Sequence, residues 1–239
     1  MASNRNGAYD SNLAVAFLWP FTTLMWGLFI FVLLGCGAII LALFFAQYYW
    51  VDPVEASDML FKTEAARVHA LSANGTLRLI ALTNFTSQWT YWLFFQATSL
   101  HDAMYAYFNH LTVNRLDQVY LTQFVGRNSR EIYIAMNIIQ VYGLRIGFLI
   151  TFIPLLFLVY VIAGIDGLTE RYIRRACAGR ESADMYKIGK LSKLLLISSG
   201  ITFYLCTPIN LNPYWLIAIL VISVAVGTRI QWQYYKKYL

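Results

Sequence analysis

The three histidines are the first residues to consider for chemistry, because imidazole serves both metal binding and proton transfer. His69, His101 and His110 all lie between residues 51 and 130, and Asp102 directly follows His101. A zinc site needs three or four protein ligands at suitable spacing, and no third ligand is well spaced from the pair His101-Asp102 and from His110. We therefore expect these histidines to be surface or interface residues, and we expect no metal site.

Other patterns typical of enzymes are missing from the sequence. It contains no glycine-flanked serine with histidine and aspartate partners, no P-loop and no cysteine cluster. Of the three cysteines, Cys36 and Cys206 lie in apolar runs, where cysteine packs as a small hydrophobic residue, and Cys177 lies outside the long segment 51–130. We expect a protein with no catalytic residues, no bound cofactor and no disulfide framework.

The composition is that of a membrane protein: 59% of the residues are hydrophobic, 17% are aromatic and only 13% are charged. Four apolar runs predict transmembrane spans, namely Thr22–Ala46, Ile146–Ala163, Leu194–Cys206 and Trp215–Thr228. The first, third and fourth contain no ionisable residue, and Arg145 stands at the boundary of the second. Coupled transporters usually place ionisable groups at membrane depth, so the sequence argues against a transporter.

The distribution of charge predicts the orientation of these spans. Residues 51–145 contain equal numbers of basic and acidic residues, so the whole formal net charge of +6 lies outside that segment. Short basic loops stay on the cytoplasmic side of a membrane. The basic segment 165–193 and both termini are therefore predicted to be cytoplasmic, and 51–130 to be extracytoplasmic.

The predicted fold is an all-α integral membrane protein with four transmembrane helices, a helical extracytoplasmic loop and a basic cytoplasmic helical hairpin. The chain divides accordingly into five parts: 1–50, an N-terminal segment and first span; 51–130, the extracytoplasmic loop; 131–164, the second span with an extension; 165–193, the basic hairpin; and 194–239, the third and fourth spans with a basic tail. Because the second helical run is far longer than a ~30 Å hydrocarbon core requires, we expect 131–145 to stand out of the membrane.

Two stretches of the long loop have helical character. Ala56–Leu71 alternates apolar and charged residues with helical periodicity. Leu79–Leu100 is uncharged over its whole length but rich in Thr, Asn, Ser and Gln. We favour a helix that lies on the membrane or packs against a neighbour over a true span. A span would place the basic segment on the wrong side unless the N-terminus also changed sides.

The basic hairpin holds the residues that we expect to bind a partner. Asp166, Glu170 and Arg174 follow each other at steps of four, which suits helical ion pairs, and arginines interleaved with acids suit a specific protein surface. The predicted partner-binding residues are Asp166, Glu170, Arg171, Arg174, Arg175, Arg180, Glu181 and Tyr186. The alternative is that the basic residues, above all Lys187, Lys190 and Lys193, only set the topology and contact anionic lipid head groups.

Small residues spaced by four positions allow transmembrane helices to approach closely. Gly143 and Gly147 form one such pair, Ser223 and Gly227 another, and Ala38 and Ala42 a third. We predict that they mark helix packing, either within the chain or with another subunit.

The segment from Ile165 to Tyr186 resembles a known family, the TraJ-like inner-membrane proteins of integrating conjugative elements and conjugative plasmids. That family shares an Asp-Gly-Leu, then an acid and arginines, then Gly-Arg-Glu-Ser and an aromatic residue. The matching residues here are Asp166, Gly167, Leu168, Glu170, Arg174, Arg175, Gly179, Arg180, Glu181, Ser182 and Tyr186. The family usually has a histidine after the tyrosine, whereas this chain has Lys187. The motif covers about a tenth of the chain, and the remainder matches in layout.

The resemblance implies a non-enzymatic component of a conjugative type IV secretion system in the bacterial inner membrane, with its long loop in the periplasm. It implies binding to the membrane part of the coupling ATPase, with other channel proteins and a second copy of the chain as further partners, and no direct contact with nucleic acid. The alternative is an exclusion or channel-gating protein that uses its extracytoplasmic loop for recognition. A membrane-embedded enzyme or small transporter is disfavoured by the empty spans.

Overall fold

The computed structural model describes residues 6–73, 77–111, 116–177 and 183–234. Within these ranges the regular secondary structure is entirely helical. The helices are α1 (Asn6–Tyr48), α2 (Pro53–Ala73), α3 (Leu77–Tyr91), α4 (Leu100–Phe108), α5 (Leu116–Arg127), α6 (Ser129–Ala176), α7 (Ala183–Cys206) and α8 (Pro213–Gln233). A π-helical turn, Trp92–Gln96, continues α3. The predicted all-α class is confirmed.

Four helices of the described part are long and apolar enough to cross a membrane. They are the outer part of α1 (Met25–Tyr48), α6, α7 from Met185 onwards, and α8. The chain is therefore an integral membrane protein with four candidate spans, as predicted. The 48-residue α6 continues without a break through Pro154, and at 1.5 Å per residue it is about 72 Å long, more than twice a hydrocarbon core.

α8 lies between α6 and α7 and packs closely against both, whereas α6 and α7 have few contacts with each other. Its start is well defined: the Asn212 side chain accepts a hydrogen bond from the Tyr214 backbone N–H (3.1 Å), and Pro213 occupies the first helical position. We call the end of the bundle that carries α2–α5 and the α7–α8 turn the loop end, and the end that carries Asp166–Lys193 and Arg229 the basic end.

α2 and α3 form a helical pair along the half of α6 nearest the loop end. α2 runs in the direction of α6, since Ser57 lies beside Asn137 (3.1 Å between Oγ and Nδ2) and Glu64 beside Arg145. α3 runs the opposite way, and its residues Leu79–Tyr91 pack against α6. The predicted packing of this uncharged stretch against a neighbour is what the structure shows, and α3 is not among the candidate spans.

Two apolar cores hold the loop end together. The first joins α1, α2, α6 and α7; its buried members are Ala38, Ala42, Leu60, Ile134, Ile138, Val141, Tyr142, Tyr204 and Leu205. The second joins the π-helical turn, α4, α5 and α6; its buried members are Phe95, Ala103, Met104, Val125, Ile132, Ala135 and Ile139. α6 contributes to both cores, so this helix positions the elements of the loop end.

Candidate functional site

The acidic residues of the predicted partner-binding segment are engaged by α8. Arg229 Nε lies 2.9 Å from Asp166 Oδ2, and Arg229 Nη2 lies 2.7 Å from Glu170 Oε2. Asp166 and Glu170 share one face of α6 because they are four positions apart. The acids thus join α6 to α8 through Arg229, a partner that was not predicted from the sequence.

Glycines allow α8 to approach α6 and α7 closely at the basic end. A Cβ on Gly167 would lie 2.7 Å from the Arg229 backbone oxygen, and one on Gly189 would lie 2.8 Å from the Ile230 side chain. Lys193 of α7 donates a hydrogen bond to Gln231 Oε1 (2.6 Å). The two arms of the predicted hairpin are therefore joined through the end of α8 rather than mainly to each other.

The basic residues of the segment differ in their surroundings. Arg174 lies 3.9 Å from Glu170 and stacks over the Tyr234 ring, 4.3 Å from its centroid. Arg175 is exposed, while Arg171 and Tyr186 are half-buried. Arg180 and Glu181 lie outside the described residues, as do Gly179 and Ser182 of the family motif. Lys187 and Lys190 are exposed, so the surface of the basic end carries positive charge, while Asp166 and Glu170 are engaged by Arg229.

Exposed apolar residues accompany these basic groups. Val161, Ile165, Leu168 and Tyr172 lie on the face of α6 opposite the one packed on α8. This stripe continues past Asp166, where the ionic network begins, to Tyr172, which is 77% exposed. Ile188 and Leu191 of α7 are exposed beside the lysines. A surface that mixes apolar and basic side chains beyond the end of a span is typical of a protein contact.

A second charged cluster lies at the loop end and is buried. Arg145 is 2% exposed and lies 2.9 Å from Glu64 Oε1. Its guanidinium also donates to the backbone oxygens of Tyr204 (2.7 Å), Thr207 (2.6 Å) and Ile209 (2.6 Å). These hydrogen bonds join α6 to α2, to the end of α7 and to the α7–α8 turn. Because every nitrogen of the buried guanidinium donates to an acceptor within the protein, the cluster is structural.

Arg67 extends the same cluster along α2. It lies 3.0 Å from Glu64 and donates to the Leu211 backbone oxygen (2.7 Å) and to the Asn210 side chain. Sequence analysis placed Arg145 at the membrane boundary but did not identify Glu64 as its partner. The sequence signal for Glu64 is that an acid lies on the apolar side of an amphipathic helix. Because Glu64 and Arg145 are 81 residues apart in the chain, no local pattern pairs them.

The small-residue pairs lie at helix contacts within the chain. A Cβ on Gly143 would lie 2.5 Å from Ser87 Cα, and one on Gly147 would lie 2.6 Å from Thr83 Cα. Both glycines of α6 therefore allow α3 to pack closely against it. Thr86 Oγ1 donates to the Gly143 backbone oxygen (2.8 Å). A Cβ on Gly227 would meet Lys193 of α7, and Ser223 is buried on α8, where it donates to Ile219.

An open cavity of about 450 Å³ lies between α2, α4 and α6. Its lining mixes aromatic and methionine side chains with polar ones: Asp58, Phe61, His101, Met104, Tyr105, Phe108, Asn109, Tyr133, Met136, Asn137 and Gln140. His101 Nδ1 lies 2.6 Å from the Tyr91 hydroxyl, and burial raises the pKa of Tyr91. Among the described residues no three His, Cys, Asp or Glu side chains are grouped to hold a metal ion.

A model of a known protein family matches most of the chain. The family described as "IncC plasmid conjugative DNA transfer protein DtrJ-like" matches residues 53–236. This range contains both charged clusters and every helix from α2 to α8. No curated protein and no solved structure matches the chain.

Proposed function

Because the chain belongs to the DtrJ-like family of conjugative DNA transfer proteins, we propose that it is a non-enzymatic inner-membrane component of the conjugative type IV secretion system that binds the coupling ATPase. A role in conjugative DNA transfer follows from the family. The finer role is our proposal. It places the loop end in the periplasm and the basic end in the cytoplasm, in agreement with the positive-inside distribution of charge.

The observation that carries the proposal is the apolar stripe of α6 at the basic end. Tyr172 lies six residues past Asp166, about 9 Å further along the helix. At this distance beyond the first charged residue of the ionic network, the stripe is past the part of α6 that would contact lipid chains. Its neighbours include the exposed Arg175, and the exposed Lys187 and Lys190 lie on α7 at the same end. A mixed apolar and basic surface fits the membrane-proximal part of an ATPase better than it fits DNA, since a DNA-binding surface is dominated by positive charge and polar contacts.

The network of Arg229 with Asp166 and Glu170 supports a positioning role for α8. It fixes the register of α6 and α8, and Arg174 is in turn held by Glu170 and Tyr234. Of the predicted partner-binding residues we therefore assign direct contact to Arg175, together with the exposed Tyr172, and we assign positioning to Asp166, Glu170 and Arg174.

The test is a mild-detergent pull-down of the tagged full-length protein from conjugating cells. Tyr172→Ala and Arg175→Glu should lose the coupling ATPase while the variant protein still accumulates in the membrane. Lys62→Glu, an equivalent charge reversal at an exposed position of α2, is the matched control and should retain it. Recovery of the ATPase with all variants would indicate that the contact lies in the spans. Failure to recover it with the wild type would overturn the proposal.

The open cavity favours a second candidate function, recognition by the loop end in exclusion or channel gating. Cavities lined by aromatic and methionine side chains adapt to varied apolar partners. Under this alternative, Met104→Ala and Tyr105→Ala on the cavity wall would alter exclusion between related cells and leave ATPase recovery unchanged.

A further inference from the structure

The outer half of α1, Gly35–Tyr48, extends well beyond the ends of α7 and α8. Cys206, the last residue of α7, donates through its thiol to the Leu34 backbone oxygen (3.6 Å). From Leu34 to the end of α1 at Tyr48 there are 14 residues, or about 21 Å of helix. The most apolar candidate span of the chain is thus displaced along the bundle axis relative to α7 and α8.

The bilayer surface at the loop end lies near the height of Leu34. Trp89 packs against Phe31 with 5.7 Å between ring centroids and is exposed, as expected for an aromatic residue at the interface. The α7–α8 turn, with Asn210 and Asn212, reaches the same height through its contacts with Arg67 and Arg145.

Charged side chains surround the outer half of α1 at its own height. Ala38 shares a core with Ile138 of α6, and Ser57 of α2 contacts α6 one residue before Ile138. Glu55 of α2 and Glu131 of α6 are exposed in the same layer. Each such group would cost about 2.5–3.5 kcal/mol in hydrocarbon, so this layer lies in water.

The outer half of α1 nevertheless exposes an apolar face. One side of the helix carries the exposed residues Ile40, Phe44 and Tyr48, together with Leu33 just before the outer half. We call these four residues the α1 stripe. Ala38 and Ala42 on the opposite side are buried against α6. A stripe of large apolar side chains in an aqueous layer marks a protein interface.

We propose that the α1 stripe packs against the α1 stripe of a second copy of the chain. Membrane insertion gives every copy the same orientation, so identical stripes meet at the same height as parallel helices. Residues 13–50 contain no charged residue, so two copies meet without like-charge repulsion, as an interface between identical surfaces requires.

The spacing along α1 fits this arrangement. Ile30, Leu33, Gly37, Ile40 and Phe44 follow each other at alternating steps of three and four, the spacing with which parallel helices pack side by side. The pairing extends from the bilayer surface into the aqueous layer. It uses the end of the molecule opposite the proposed ATPase contact and does not depend on that proposal.

The test is disulfide cross-linking of the full-length protein in native membranes. In a variant with Cys36 and Cys177 replaced by alanine, Ile40→Cys and Phe44→Cys should form a covalent dimer as the main species after mild oxidation. Glu55→Cys, exposed on α2 in the same layer, and Ile153→Cys, exposed on the span of α6, are matched controls and should give only traces. Equal cross-linking of stripe and control positions would overturn the proposal.

A charge substitution separates an interface from lipid contact. Ile40→Glu should insert and fold like the wild type but lose the dimer, measured by light scattering in lipid nanodiscs. Leu158→Glu, on the exposed face of the α6 span, should reduce insertion. If Ile40→Glu reduces insertion as strongly, the stripe faces hydrocarbon; if the wild type is monomeric, or only a different protein cross-links to the stripe, a second copy is not the occupant.

Discussion

The buried cluster of Arg145 and the exposed cluster of Arg229 contain the same residue types but have different roles. The side chains of Arg145 and Glu64 are almost completely buried, whereas those of Arg229 and Asp166 are each about half exposed. A charge that has left water depends entirely on its partners, while water and salt screen an exposed pair. Burial rather than residue type therefore separates the cluster that holds the fold from the one that is open to a partner.

The strongest way to test this comparison is to remove the buried cation. Arg145→Ala should remove the buried cation beside the Glu64 carboxylate, which keeps only Arg67 as an ionic partner, and should leave three backbone oxygens of the α7–α8 turn region without their donor. We expect this change to cost about 3–5 kcal/mol, which is enough to reduce accumulation in the membrane severely. Thermal unfolding in detergent and the amount of membrane-inserted protein measure the effect. The double variant Glu64→Gln/Arg145→Met should recover a large part of the loss, because neither residue then carries a buried charge. A single variant that melts like the wild type would show that the cluster does not hold the fold.

A smaller but clear loss is expected at the contact of α3 with α6. Gly143→Leu would drive a side chain into Ser87 of α3, and such overpacking typically costs about 1–3 kcal/mol. Gly27→Leu is the matched control, since a Cβ at Gly27 would have no neighbour within 4 Å. Melting temperatures in detergent should fall for Gly143→Leu and stay unchanged for Gly27→Leu. Equal melting of the two variants would mean that α3 does not pack as described.

Arg229→Ala should affect conjugation more than stability. Its ion pairs with Asp166 and Glu170 are exposed, so the melting temperature should remain close to that of the wild type. Transfer frequency should fall if α8 positions the surface near Arg174. Arg229→Lys, which retains the charge but not the two-pronged contact, should give an intermediate transfer frequency. A large drop in the melting temperature would instead show that Arg229, like Arg145, stabilises the fold.

The smallest effect is expected at Lys62, which lies 2.6 Å from Asp58 on the surface of α2. The hydrogen bond with Asp58 raises the pKa of Lys62, but solvent screens the pair. Lys62→Ala should leave the melting temperature and transfer frequency unchanged at neutral pH. A measurable loss of transfer would instead indicate that α2 contacts a partner.

Local patterns in the sequence determined the class of this fold. An apolar run that crosses the membrane forms a helix here because hydrocarbon offers no partner for an unpaired backbone N–H or C=O. This reason accounts for the confirmed four candidate spans and the continuous α6. The helical periodicity of apolar and charged residues is what predicted the helix over Ala56–Leu71. The uncharged but hydroxyl-rich character of Leu79–Leu100 was also sufficient to favour packing against a neighbour, which α3 achieves on Gly143 and Gly147.

Only the tertiary structure decided which distant residues meet. The pairs Glu64–Arg145 and Asp166–Arg229 join helices whose relative order in the bundle depends on how all faces pack together, and no local periodicity encodes that order. The same holds for the place of α8 between α6 and α7, and for the height of α1 beside them. Hydropathy measures how apolar a segment is, but the position of that segment along its neighbours follows from side-chain packing, so the uncovered outer half of α1 became visible only in the assembled fold.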